Sequence, residues 1–272
     1  MLWLASLFLQ NHEPKFHTGF KMTTYLKLEN VSVSYPIFDV KSRSLKANFV
    51  RLTTGGKISS NAKSVSVDAL KGINLELCHG DRLALIGHNG AGKSTLLKTM
   101  AGIYEPTAGR IIAQGSIASL LDINLGMNPE SSGRENIYSR GMLLGLSKRE
   151  INEIIEEIIA FTELADFIDL PVRTYSSGMA VRLAFAISTA VKPEILLLDE
   201  VIGAGDANFM EKARKRIKEL IESVGILVFS SHSESDVKMF CNKGIVLDAG
   251  EIKYVGDVEQ AFEFYSNSRA IA

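Results

Sequence analysis

The 272-residue sequence predicts an α/β fold, a mainly parallel sheet with helices on both faces. Three observations carry that expectation. After Pro171, short apolar strands alternate with amphipathic helices, the pattern of a parallel sheet covered on both sides. A glycine-rich loop joins an apolar strand to an apolar helix across residues 83–100. Between residues 132 and 170 only helix signals occur, so that block reads as an insert.

Taken in order, the chain begins with an apolar run, Met1–Leu9, followed by a polar, irregular stretch through Lys21. The run has no basic n-region and no small-residue cleavage site, so it does not read as a signal peptide. Residues 1–21 are expected to be an extension outside the core, with Met22 opening a domain over residues 22–272; the rival reading is a tether lying on a membrane surface. Leu26–Tyr35 alternates apolar and polar residues, as a half-buried strand does. Pro36–Ser66 is rich in Ser, Lys and Gly and reads as a long loop or insertion. Strand signals return at Ile73, Leu75 and Leu77, turn at His79-Gly80-Asp81, and resume over Arg82–Ile86. A helix is expected from Lys93 to about Met100, stopped by Gly102. Two short strands follow, near Arg110–Ala113 and Ser116–Leu121. In the helical block, Ser147 and Glu150 form a capping box, and Ile151, Ile154, Ile155, Ile158 and Ile159 mark one packing face. Beyond it, helices Val181–Thr189, Phe209–Ser223 and Glu234–Phe240 are interleaved with strands Ile195–Leu198 and Ile226–Phe229. A hairpin, Lys243–Asp248 and Glu251–Val255, turns at Ala249-Gly250.

Composition excludes several classes. With 46% apolar residues and 30 Lys plus Arg against 31 Asp plus Glu, the chain is neither disordered nor a basic polyanion binder. No run of about 18 uninterrupted apolar residues is present to span a bilayer. Two cysteines, Cys78 and Cys241, are too few for a disulfide framework or a metal site, and read as small buried hydrophobes of a cytosolic chain.

The strongest chemical signal is Gly87-His88-Asn89-Gly90-Ala91-Gly92-Lys93-Ser94-Thr95, which fits G-x-x-x-x-G-K-S between strand and helix. Glycines let successive N–H groups turn inward toward phosphates, and the helix adds its positive N-terminus. Lys93 then reaches the β and γ oxygens, and the Ser94 hydroxyl suits Mg²⁺. A second acidic element follows in Ile195–Glu200, four apolar residues ending in Asp199 and Glu200. Asp199 suits Mg²⁺ beside Ser94, and Glu200 can orient and deprotonate a water, a role worth roughly 10²–10⁴ in rate. His232 lies just past a strand's carboxyl end, where ligands collect in open parallel sheets, and is a candidate γ-phosphate sensor.

Tyr175-Ser176-Ser177-Gly178-Met179 resembles the signature motif of ABC-type ATPases, and its YSSGM form is similar to the ATP-binding subunits of polysaccharide exporters for O-antigen, capsule or teichoic acid. The strings Ser132–Tyr138, Leu143–Ser147, Phe167–Asp169 and Val181–Ala186 strengthen that resemblance, which covers about Tyr25 to Tyr265. It implies a P-loop NTPase (RecA-like) core with a mainly parallel sheet, an antiparallel β-subdomain and a helical subdomain inserted at about 132–178. It further implies ATP and Mg²⁺ as cofactors, Tyr35 stacking on adenine, and a head-to-tail homodimer. In that dimer Ser176, Ser177 and Gly178 contact the ATP of the other copy, with Asp206 at the seam. Relatives usually carry a Gln between the core sheet and the helical subdomain; residues 120–134 contain none, and Asn128 is the candidate substitute, including as a Mg²⁺ contact. The expected function is an ATP-hydrolysing motor at the cytoplasmic face of the plasma membrane. It would dock on a separate membrane-embedded permease and drive export of a lipid-linked polysaccharide. An importer or drug-exporter ATPase is the nearest alternative. A nucleic-acid-associated ABC ATPase is disfavoured by the single cassette, the absence of heptads and the net charge of −1, so no nucleic-acid partner is expected. A regulator that binds ATP without cleaving it is disfavoured by the presence of Glu200 and His232.

Overall fold

The computed structural model describes residues 24–37, 58–61, 64–199, 207–231 and 233–270. Expectations for residues 1–21 and for Glu200, Asp206 and His232 lie outside the described residues.

Two sheets enclose the core. The first is antiparallel, in the order β2-β3-β1-β5, from β1 (Tyr25–Ile37), β2 (Ile58–Asn61), β3 (Ser64–Cys78) and β5 (Ala108–Gln114). The second contains β4 (Arg82–Ile86), β6 (Ile117–Leu120), β7 (Ile195–Asp199), β8 (Ile226–Ser230), β9 (Lys243–Asp248) and β10 (Glu251–Asp257), in the order β10-β9-β4-β8-β7-β6. It is parallel except where β9 and β10 form their hairpin.

The continuous apolar strands of this second sheet are explained by its two covered faces. On one face Leu83, Leu85, Ile195, Leu197, Ile226, Val228, Ile245 and Leu247 pack against α1 (Lys93–Met100) and the inner side of the antiparallel sheet. On the other, Ala84, Ile86, Leu196, Leu198, Leu227, Phe229 and Val246 meet Phe185 and the helices α5 (Ala207–Ser223), α6 (Glu234–Phe240) and α7 (Val258–Ala270). Alternate residues of one strand therefore serve two cores. Ile195 to Leu198 are at most 1% exposed, and each such side chain contributes about 1.5–3 kcal/mol of burial.

The helical block lies between the neighbouring strands β6 and β7. It contains α2 (Gly133–Leu143) and α3 (Lys148–Thr162), two single-turn helices at Ala165–Phe167 and Val172–Thr174, and the start of α4 (Ser177–Ser188). Its own core joins Ile137, Ile151, Ile155, Ile158 and Ile159 to Leu183, Ala186 and Ile187 of α4. Both α2 and α3 open with a capping box, Ser132 with Glu135 and Ser147 with Glu150, which satisfies the first free N–H groups.

Three expectations need correction. Cys241 is buried, and burial pushes its thiol up to about 12, but Cys78 is exposed. Cys78 ends β3 at a turn, where its N–H donates to the Asp81 carboxylate at 2.9 Å. The stretch Pro36–Ser66 is not wholly loop. Its ends extend β1 to Ile37 and begin β3 at Ser64, and β2 pairs antiparallel with β3. Helix α4 starts at Ser177, four residues before the expected Val181, because Ser176 supplies the cap.

Candidate functional site

Strand register aligns the chemistry along one edge of the parallel sheet. Leu85 on β4 lies opposite Ser230 on β8, which lies opposite Asp199 on β7. The loop leaving β4 therefore emerges beside Asp199 at the carboxyl ends of the strands. A cleft of about 750 Å³ opens there. The sequence-predicted residues Tyr35, Asn89, Gly90, Gly92, Lys93, Ser94, Thr95 and Asp199 all line it.

The loop is held open by its own geometry. Gly92 caps α1 at φ 111°, and a Cβ there would lie 2.9 Å from the Ala69 carbonyl oxygen. No side chain caps α1, and no acidic residue occupies its first turn. Its positive N-terminus faces the cleft ready for an anion. Behind it, the hairpin turn between β9 and β10 buttresses the loop: the Gly250 N–H donates to the Ala91 carbonyl at 3.0 Å. The turn is tied in turn to β3, with the Lys71 N–H donating to the Gly250 carbonyl at 2.9 Å. A Cβ on Gly250 would come within 2.6 Å of the Ala69 carbonyl oxygen, so the turn can approach this closely only as glycine.

The Lys93 ammonium donates to the carbonyls of Gly87 (2.6 Å) and His88 (3.1 Å), which fixes its charge against the loop. The Ser94 hydroxyl donates to the Asp199 carboxylate at 2.7 Å. These two hard oxygens, brought together from residues 105 apart, suit a small divalent cation that keeps its remaining positions for water and phosphate. His88 points elsewhere: Nε2 lies 3.0 Å from Asp248 Oδ1 and Nδ1 lies 2.7 Å from the Asn89 carbonyl. Gly87, His88 and Ala91 thus shape the loop from behind, outside the cleft lining.

Also lining the cleft, Tyr35 meets the Tyr104 ring edge-on, with centroids 5.6 Å apart and planes at 76°. Burial pushes the Tyr35 phenol above its ordinary value, against a hydrogen bond with Thr95 that pulls it down, so the ring stays neutral throughout the physiological range. An aromatic face fixed at a phosphate cleft is a platform for a nucleobase.

Ser176, Ser177 and Gly178 are not part of this cleft. Ser176 caps α4, its hydroxyl accepting the Met179 N–H at 3.2 Å. Tyr175 anchors the turn by donating its hydroxyl to the Phe167 carbonyl at 2.7 Å. Asn128 does not reach the cleft either. Its side-chain amide donates to the Ser131 hydroxyl (3.1 Å) and accepts the Glu130 N–H (3.1 Å), so both ends of the amide serve a local turn. Leu121, seven residues earlier, is the member of this segment that lines the cleft.

Sequence reasoning did not single out Val67, Asp68, Ala69, Leu121, Ser230, Ala249 or Gly250 as lining residues. Ser230 was the most accessible of these, since it ends a parallel strand at the ligand-binding edge. Ala249-Gly250 carried only a turn signal, and its position against the loop depends on pairing distant in sequence.

Residues 70–203 match the ABC transporter family. The chain is 51% identical over 230 residues to an O-antigen export system ATP-binding protein of Yersinia enterocolitica, covering 84% of this chain and 96% of that one. It is 36% identical to an O-antigen export system ATP-binding protein of Klebsiella pneumoniae, covering 92% and 100%. A teichoic acids export ATP-binding protein of Bacillus cereus is 38% identical over 90% of this chain and 43% of its own length. Among solved structures, an ATP-binding subunit of an ABC transporter superposes with a TM-score of 0.64 at 20% identity, over 89% and 94% of the two chains. A dimeric ATP-binding cassette bound to ADP and Pi superposes with a TM-score of 0.61 at 22% identity, over 86% and 98%. The strand–loop–helix phosphate cleft and the Yersinia enterocolitica and Klebsiella pneumoniae relatives lead to one conclusion: the chain belongs to the ABC transporter family and is an ATPase cassette.

Proposed function

We propose that this protein is the ATP-hydrolysing subunit of an exporter for a lipid-linked polysaccharide. The carrying observation is the Yersinia enterocolitica relative, named for O-antigen export and spanned almost end to end. The cleft supports the chemistry. Tyr35 stacks on adenine, the N–H groups of residues 89–95 and the Lys93 ammonium hold the phosphates, and Ser94 with Asp199 holds Mg²⁺. Mg²⁺ held there would supply charge neutralisation to the phosphate oxygens. Glu200 orients the attacking water and accepts its proton, and His232 contacts the γ-phosphate. Catalysis on such a group is mostly positioning and charge stabilisation.

The signature turn acts on a second copy. Ser176, Ser177 and Gly178 lie at a helix N-terminus with no acidic residue in its first turn, outside their own cleft. We place them against the ATP of the partner in a head-to-tail homodimer, with Asp206 at the seam. ATP closes that dimer and hydrolysis reopens it. Within the chain, residues 22–272 form the nucleotide-binding domain and about 132–178 the inserted helical subdomain.

No helix among the described residues is long and apolar enough to cross a membrane. We place the protein at the cytoplasmic face of the plasma membrane, on a separate permease. Leu125, Met142 and Leu143, each more than half exposed, gather where the loop before α2 meets the end of that helix. They form an apolar surface for the permease's cytoplasmic helices.

Deleting the gene tests the reading. Cells should lose surface polysaccharide and accumulate it on the cytoplasmic side, with rescue by the wild-type protein and none by Lys93→Ala. Normal surface polysaccharide in the deleted strain would reject the export role while leaving the ATPase intact.

A further inference from the structure

Helix α2 carries two buried polar side chains one turn apart, Asn136 and Arg140, 0% and 4% exposed. Neither takes part in the nucleotide chemistry above. The Asn136 amide accepts the N–H of Asn128 (2.7 Å) and donates to the carbonyls of Asn128 (2.9 Å), Ser131 (3.2 Å) and Ser132 (2.9 Å). Arg140 donates to the carbonyl of Ile123 and, at 2.6 Å, to the hydroxyl of Ser188. The two side chains thus clamp the segment between the cleft and α2 near both ends.

What Arg140 joins is informative. Ile123 lies two residues beyond Leu121, which lines the nucleotide cleft. Ser188 is the last residue of α4, and its hydroxyl donates onward to the Ala184 carbonyl at 2.8 Å. Ser176, the cap of the signature turn, sits at the opposite end of the same helix. A 12-residue helix is a rod about 18 Å long, so a small shift at its last turn swings its first. Burying a guanidinium is costly, and burial draws this one down to about 10, a pull that the Asp122 charge opposes. An apolar side chain would fill the same space without that cost. The planar fork reaches the two acceptors from two separate nitrogens, Nη1 to the Ile123 carbonyl and Nη2 to the Ser188 hydroxyl, whereas a lysine offers one.

We propose that Arg140 is a positioning residue that couples the nucleotide cleft to the signature helix, by joining the Ile123 carbonyl to the Ser188 hydroxyl. The proposal rests on the reading of α4 as the receptor for a partner's phosphate. When the segment after Leu121 shifts with the bound nucleotide, Arg140 carries that shift to α4 and sets the tilt of Ser176. Without it, each chain still binds ATP, but the signature turn does not follow.

The test uses the full chain and Mg·ATP, comparing Arg140→Met, Arg140→Lys and Ser188→Ala with Thr162→Val. Thr162 is a buried hydroxyl of the same helical block, bonded to the Ile159 carbonyl and the Leu164 N–H, so its loss controls for general destabilisation. Arg140→Met should lower kcat about 10-fold or more while the Kd for Mg·ATP stays within about twofold, the mark of an interaction used after binding. Arg140→Lys should not rescue, Ser188→Ala should lose part of kcat, and the Arg140→Met/Ser188→Ala pair should be no worse than Arg140→Met alone. Thr162→Val should lower Tm with kcat within about twofold. Equal loss of kcat in Thr162→Val and Arg140→Met, a parallel rise in Kd, or full turnover in Arg140→Lys would overturn the proposal. Should Arg140→Met fail to fold, Arg140→Lys and Ser188→Ala decide it on the same criteria. Ser176→Arg separates the two readings. If it blocks ATP-driven dimerisation while the Arg140 variants turn over normally, only the coupling is wrong; if it does not, the signature reading itself fails.

Discussion

The N-termini of α1 and α4 are built alike in charge and differently in closure. Neither has an acidic residue in its first turn, whereas α2 and α3 place Glu135 and Glu150 there. The α1 end is capped by Gly92 in the left-handed region, with no side-chain hydrogen bond at the cap. The α4 end already has one N–H satisfied by the Ser176 hydroxyl. The first opens on the cleft, with Lys93, Ser94 and Asp199 assembled beside it, as the proposed phosphate site requires. The second is structurally complete alone and lies outside the cleft. On the proposed reading, one end binds phosphate within its own chain and the other meets a ligand held by a second copy.

Removing Lys93 should break the first receptor most severely. Lys93→Ala should reduce ATP turnover by about 10²-fold or more, since a charge aimed at the developing phosphate charge is lost in a site built around it. Steady-state kinetics checks this, and unchanged turnover would remove the phosphate role. Next in size, Tyr35→Ala should weaken ATP binding by about 1–3 kcal/mol, with Tyr35→Phe close to wild type, because the stacked face and not the hydroxyl carries the contact. Equilibrium titration with Mg·ATP measures both. The smallest effect sharpens the contrast with α4. Ser176→Ala should lose about 1 kcal/mol of stability with the helix cap, and Ser176→Gly only a few tenths. Thermal unfolding should separate the two variants, while turnover should fall in both if the hydroxyl also serves a partner's phosphate.

Much of this architecture was legible because local chemistry dictated it. Four apolar residues followed by Asp199 admit few readings other than a buried strand with a carboxylate at its end, and Gly92-Lys93-Ser94 demands a helix N-terminus. The hairpin at Ala249-Gly250 was equally clear as a turn. Its buttressing of the phosphate loop was not, since that contact requires β9 to lie beside β4 and β3 to lie across from both. The same holds for Leu121 and Asp68. Asn128 illustrates the opposite error: its amide chemistry fitted a cleft role, but Asn136 one helix turn beyond Ser132 fixes the Asn128 backbone in a local turn. Helix α7 was overlooked although its signal is present: Val258, Ala261, Phe262 and Tyr265 fall at helical spacing and pack onto the sheet, behind Asp257, whose carboxylate accepts the Glu259 N–H. Cys78 misled because residue type alone says nothing of position at a strand's last residue.

The claim on which the account turns is that the α4 end meets nucleotide held by α1 of another copy. Sedimentation of Glu200→Gln, slowed in hydrolysis by about 10²-fold or more, tests it most directly with saturating Mg·ATP. A dimer that forms with ATP, dissolves with ADP and is abolished by Ser176→Arg is the expected result. A monomer at saturating ATP, or an ATP-dependent dimer indifferent to Ser176→Arg, would contradict it.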